Sequence, residues 1–151
     1  MDGIVKLNEI IEGMDMLGFE RVVLLHIKTG KVISVVESIL RDAEEDERAD
    51  DVEEELELAY DIIDNDNHYL ELPSEYEIHE YRMMEDFCYT IENEKEQDTL
   101  LRAISGKGAF RRFKDTIGYL GVDRDWYDYR YERYKQIAIR FCERNNLEYE
   151  E

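Results

Sequence analysis

The chain has 151 residues, about one domain's worth, and 43% of them are hydrophobic, so a real core can form and wholesale disorder is excluded. Its 39 Asp/Glu against 19 Lys/Arg give a formal net charge of −20, spread unevenly: residues 1–100 carry −22 and residues 101–151 carry +2. The acidic part should repel nucleic acid and anionic membranes, which weighs against long nucleic acid as a partner; no membrane partner is expected, and only the last third can approach a phosphate.

In chain order, Ile4, Leu7, Ile11 and Met14 recur at helical spacing, which predicts a short amphipathic helix over residues 4–17, ended near Gly13 or Gly18. Arg21–Ile27 and Lys31–Glu37 are apolar and β-branched, with Lys28-Thr29-Gly30 between them, and read as a β-hairpin. The unbroken run Val22-Val23-Leu24-Leu25 implies that both faces of that strand are at least partly covered. Arg41–Asp66 is an acid block of 14 Asp/Glu against Arg41 and Arg48. Val52, Leu56, Ala59 and Ile63 form a seam in its second half, which predicts a helix there. Asp42–Asp51 has no such stripe and is expected to be an exposed acidic loop within a single domain spanning 1–151. His68–Leu72 suits a short strand joining the hairpin.

Ser74 followed by Glu77 has the form of a capping box, opening a helix expected to run to Ile91 with Tyr81, Met84, Phe87, Cys88 and Ile91 inward. A shorter helix is expected over Glu96–Ser105. The next starts near Gly108 and buries Ala109, Phe110, Phe113, Ile117 and Leu120. The last, Asp125–Asn145, turns Trp126, Tyr134, Ile137, Ala138 and Phe141 to the core, capped by Asp123 or Asp125. The fold class is α+β: a small antiparallel sheet or hairpin in the N-terminal half, packed with a mainly helical C-terminal half of about four helices.

Chemistry-bearing residues are sparse. Cys88 and Cys142 lack metal-ligand spacing and read as small buried thiols of a reducing compartment. His26, His68 and His79 are scattered, and His79-Glu80 begins an H-E-x-x-H pattern whose second histidine is replaced by Met83, so no metal and no cofactor is expected. Asp64, Asp66 and Glu75 have EF-hand spacing, but Tyr69 stands where that loop needs glycine. No serine sits in a nucleophile elbow. Met1–Lys6 lacks the basic start and apolar run of a signal peptide, and no stretch approaches the ~20 apolar residues that span a bilayer, so a cytoplasmic protein is expected.

Three groups of residues remain as binding candidates. The first is Gly106-Lys107-Gly108-Ala109-Phe110-Arg111-Arg112-Phe113-Lys114. A helix start exposes unpaired N–H groups, and Lys107, Arg111 and Lys114 fall within about 60° of one another on a helix, so with Gly108 they could hold a phosphate. Arg112 points elsewhere. The alternative is a tight helix–helix turn whose cations pair with the surplus carboxylates. The second is Glu80, a carboxylate on an apolar helix face, which is either a base or binding residue or half of an ion pair with Arg111 or Arg112. The third is the aromatic run around Trp126, with Arg130 and Arg133; arginine and aromatics suit stacking or a protein interface, but also a core with a solvated rim.

The segments Pro73–Phe87, Gly106–Asp115 and Trp126-Tyr127 with Ile137-Ala138 and Phe141-Cys142-Glu143, together with the Lys28-Thr29-Gly30 turn, resemble the uncharacterised bacterial protein family UPF0158. The resemblance implies a small bacterial cytoplasmic domain, brings no catalytic residues, and places the acid block in a variable region. The functional expectation is a non-catalytic adaptor or regulator that binds a protein; the alternative is a nucleotide or RNA binder at the Gly106–Lys114 helix start. Catalysis with Glu80 as base beside those cations is a third reading.

Overall fold

A computed structural model describes residues 2–18, 20–44 and 54–151. The fold is α+β, and the chain divides into two compact units: Met1–Glu75 with Ile137–Glu151, and Tyr76–Gln136.

The first unit is built on a three-stranded antiparallel sheet. Strand β1 (Val5–Lys6) leads directly into helix α1 (Leu7–Asp15), shorter than the sequence implies because Val5 and Lys6 are drawn into a parallel pair with β5 (Tyr149–Glu150). The hairpin forms as expected, from β2 (Arg21–His26) and β3 (Lys31–Val36), with Arg21 opposite Val36 and His26 opposite Lys31. Gly30 closes its turn with φ 73°, and a Cβ there would lie 2.4 Å from the Ile4 carbonyl oxygen. No other residue type fits both demands. Strand β4 (Tyr69–Glu71) joins the far side of β2, giving the order β3-β2-β4.

Alternation then assigns the faces. Val23 and Val32 meet α1, where Gly13 comes close enough that an added Cβ would sit about 3 Å from either valine (3.1 and 3.0 Å). Leu24 and Val35 lie on the opposite face, in a core with Ala43, Ala59, Ile62 and Tyr69. Both faces of β2 are thus covered, as its apolar run requires.

Ala43 belongs to helix α2 (Glu37–Glu44), which corrects the loop expected from Asp42: Asp42–Glu44 are helical and Ala43 is buried. The rest of the expected loop, 45–51, and Val52 lie outside the described residues. Helix α3 (Glu54–Asp64) forms, but Ile62 rather than Ile63 completes its buried seam: Ile62 packs with Ala59 in the core on the sheet, and Ile63 is exposed. A 3₁₀ turn, Asp66–His68, connects it to β4.

The connection carries a polar cluster that sequence reasoning did not single out. The Tyr69 hydroxyl donates to Asp61 Oδ2, and Asn65 Nδ2 donates to Asp61 Oδ1 at 2.9 Å. The Tyr69 bond is the main cause holding the Asp61 carboxyl below its ordinary pKa; burial opposes it, and Asn65, His26 and His68 assist. A depressed folded-state pKa gives stability that is present above the unfolded carboxylate pKa and lost as pH falls through the folded value. Tyr69→Phe is therefore expected to lower the urea midpoint at neutral pH, with the gap from the parent narrowing below about pH 4. A gap that stays constant into acid would assign the loss to packing alone.

The second unit is helical. Helix α4 (Glu75–Ile78) begins beside Ser74 and stops after one turn. The single helix expected to Ile91 is broken at His79, which takes a left-handed φ of 52°, and α5 (Glu80–Cys88) restarts after it. The restart changes the inward set: Met83, Met84, Phe87 and Cys88 are buried, while Tyr81 turns outward and donates its hydroxyl to the Ile104 carbonyl at 2.8 Å. Asn93 caps α6 (Glu94–Ala103), accepting from the N–H groups of Lys95 and Glu96. Helices α7 (Ala109–Leu120) and α8 (Asp123–Arg144) follow, the latter passing from the second unit into the first at Gln136–Ile137.

Burial pushes the thiols of Cys88 and Cys142 up to about 11. Each is expected to resist alkylation at about pH 8 in the native protein and react only on unfolding. Rapid native labelling of either would show that its segment opens locally.

Candidate functional site

Most of the candidate residues lie in the second unit, and its core explains why several are not available for binding. Phe87 from α5, Phe113 from α7, and Trp126 and Tyr129 from α8 meet edge-on or stacked. Trp126 lies 4.9 Å from Phe113 and 5.4 Å from Phe87, centroid to centroid. Trp126 is 3% exposed. It is the keystone of this cluster and presents nothing to a partner. Of the aromatic run on α8, only Tyr127 and Tyr131 face outward.

Glu80 is paired, as a carboxylate on an apolar face must be, but with a different arginine from the ones expected. Arg130 Nε donates to Glu80 Oε1 at 2.5 Å, and Arg130 Nη2 donates to the Tyr134 hydroxyl at 2.8 Å. That hydroxyl donates on to Glu80 Oε2 at 3.4 Å, and the guanidinium lies 4.1 Å over the Tyr134 ring. Arg111 and Arg112 were the expected partners; Arg112 is held by backbone carbonyls ahead of α7 and Arg111 is exposed, and α8 supplies the cation instead. A second set repeats the pattern one turn along: Arg133 Nη1 donates to Asp86 Oδ2 at 3.1 Å and to the Tyr129 hydroxyl at 2.7 Å. Burial acts to lower the Arg133 pKa, but Asp86 and Tyr129 together, through their bonds and charges, outweigh it and the net shift is upward. In each set a carboxylate on α5 meets an arginine and a tyrosine four residues apart on α8. Such contacts fix helix register and leave little of Glu80, Arg130 or Arg133 for a ligand.

The Gly106–Lys114 motif divides in two. Gly106 and Gly108 take φ of 81° and 77°, and Gly108 is the N-cap of α7. Arg112 folds back over the turn: Nε donates to the Ala103 carbonyl at 2.9 Å, Nη2 to Ser105 at 2.6 Å, and Nη1 to Lys107. It satisfies carbonyls left open at the end of α6 and locks the loop. Lys107, Arg111 and Lys114 behave otherwise. All three are exposed, and among the described residues none makes an ion pair, in spite of the excess of carboxylates. Phe110, expected inside, is 52% exposed beside them. At 100° per residue Phe110, Lys114 and Arg111 share one outward arc, while Ala109, Phe113 and Ile117 hold the inward one. No side chain caps the start of α7. The sequence signal for this face was the run of cations without acids between Arg102 and Asp115; the exposure of Phe110 had no such signal.

Among the described residues no group of His, Cys, Asp and Glu is placed to hold a metal, and no helix is long and apolar enough to cross a membrane. What the geometry defines among the described residues is an α+β protein whose α7 carries exposed cations without ion pairs beside an exposed phenylalanine. The chain belongs to the uncharacterised protein family UPF0158, whose model matches residues 7–150. No curated protein and no solved structure matches it.

Proposed function

We propose that the protein is a non-catalytic binding module, an adaptor or regulator that docks a partner protein on the outer face of α7. One observation supports this above the others: Lys107, Arg111 and Lys114 stay unpaired around an exposed Phe110 in a chain with 39 acidic residues, while Arg112, Arg130, Arg133 and Glu80 are engaged internally. An exposed aromatic ringed by cations is the composition of an interface hot spot, and the cations select a partner that brings carboxylates. Tyr127 and Tyr131, one turn apart on α8, extend the aromatic surface of the same unit. Glu80, the sole candidate base, is spent on Arg130 and Tyr134, which argues against catalysis there.

The test is to place a photo-crosslinking residue at Phe110, map what it captures in the native host, and repeat with Arg111→Glu/Lys114→Glu. Capture of one defined protein that this double reversal abolishes supports the reading. Native mass spectrometry of gently purified protein gives the contrary result its form: a bound nucleotide-sized mass lost in Arg111→Glu would replace the protein partner with a phosphate ligand.

A further inference from the structure

The sheet of the first unit has covered faces and two edge strands, β3 and the shorter β4. Among the described residues β3 pairs with no strand but β2. Along an antiparallel pair, residues that direct N–H and C=O to the partner alternate with residues that direct them away. The Glu37 N–H donates to the Glu20 carbonyl at 2.9 Å, so counting back along the register, Val35, Ile33 and Lys31 bond β2. Val32 and Ser34 therefore aim their backbone groups outward. The other side of β2 agrees with this phase, since the Ile27 N–H donates to the His68 carbonyl at 2.9 Å, toward β4. Among the described residues nothing accepts from or donates to the outward backbone groups of Val32 or Ser34. Ser34 Oγ is separately occupied by Arg21 Nε at 3.1 Å. Exposed edges are ordinarily blunted by charge, proline or a bulge. Here Lys31 stands only at the first position, and Val, Ile, Ser, Val and Val follow it.

We infer that the β3 edge is a pairing site for a second copy of this chain, two β3 strands meeting antiparallel about Ile33. Val32 of one protomer then lies opposite the partner's Ser34, and each such pair exchanges both N–H···O bonds, so every outward group of the two residues is satisfied. The same patch serves both copies, as a two-fold interface demands. In this register Lys31 lies diagonally across from the partner's Glu37, the first residue of α2, whose exposed carboxylate is held, among the described residues, only by Arg41 of its own helix at 4.0 Å and can turn to Lys31 at both ends of the joint. The two three-stranded sheets become one continuous six-stranded sheet. Against it stands the net charge of −20 on each copy, which salt screens. Added salt should therefore strengthen this dimer, whereas it weakens any contact made by the α7 cations.

Sedimentation velocity on the full chain, over a range of concentrations and from about 0.02 to about 0.3 M salt, tests this. The expected result is a concentration-dependent dimer that tightens with salt. Ser34→Pro deletes an outward N–H from each copy at a position where an edge strand tolerates proline, and should weaken the dimer about tenfold or more. Ser34→Ala should leave it intact. A protein that stays monomeric throughout, or a dimer untouched by Ser34→Pro, overturns the inference. Amide exchange on the unaltered chain covers the case of a misfolded proline variant: the Val32 and Ser34 amides should slow as protein concentration rises, and exchange indifferent to concentration overturns the proposal as well.

Discussion

Replacing Trp126 with alanine is expected to destabilise the second unit by about 3–5 kcal/mol, the largest loss any single substitution in its aromatic cluster should cause. Trp126 touches rings from α5 and α7 as well as its own helix, so its removal opens a void bounded by Phe87, Phe113 and Tyr129 that no neighbour can fill without leaving its rotamer. Total stabilities of domains run to about 5–15 kcal/mol, so the loss is a large part of what holds the unit together. The chain has one tryptophan, and its fluorescence in the parent protein reports unfolding of this unit without interference from the other. Denaturant unfolding followed by circular dichroism then measures the variant. Trp126→Phe should recover a good part of the loss, since a smaller ring still meets Phe113 edge-on. A Trp126→Ala variant of near-parental stability would mean that the residue is not buried as described, and would return it to the list of binding residues.

Legibility in the sequence followed the range of the interaction. The hairpin was readable because its turn chemistry and β-branched runs are local, and α6 to α8 because their apolar residues keep period over several turns. The β1–β5 pair was not, since two residues at each end of the chain carry no pattern and the pairing is set by where the two ends are brought. Helix α2 hid inside a charge run: Ile39, Leu40 and Ala43 are its whole apolar content, too few to stand out against the acids. The break at His79 was unreadable for a different reason. Histidine is enriched among the non-glycine residues that adopt a left-handed conformation, but most histidines do not, and the helical pattern runs on past His79 without a break to mark it. The binding surface was half legible. Clustered cations pointed to α7, but deciding which of four arginines stays unpaired needs the tertiary contacts. Arg112 is taken by carbonyls behind it, and Arg130 and Arg133 by carboxylates 50 and 47 residues away, respectively.

The Glu80 set gives the second large effect. Arg130→Ala is expected to cost about 2 kcal/mol. That is less than the roughly 3–5 kcal/mol of breaking a fully buried pair, because the Glu80 side chain keeps 35% of its exposure and water screens what remains. Three losses combine. Glu80 is left without its cation, the Tyr134 hydroxyl loses its donor, and the guanidinium no longer covers the ring of Tyr134. Arg130→Lys should recover little, since an ammonium cannot serve carboxylate and hydroxyl at once while lying flat on the ring. The double-mutant cycle with Glu80→Ala should return a coupling of about 1–2 kcal/mol, as residues of one network do. Partner capture at Phe110 should be indifferent to both substitutions in whatever fraction remains folded. If Glu80→Gln instead removed a partner or an activity with stability unchanged, the ion pair would be a resting contact that function must break, and the site would move from α7 to α5.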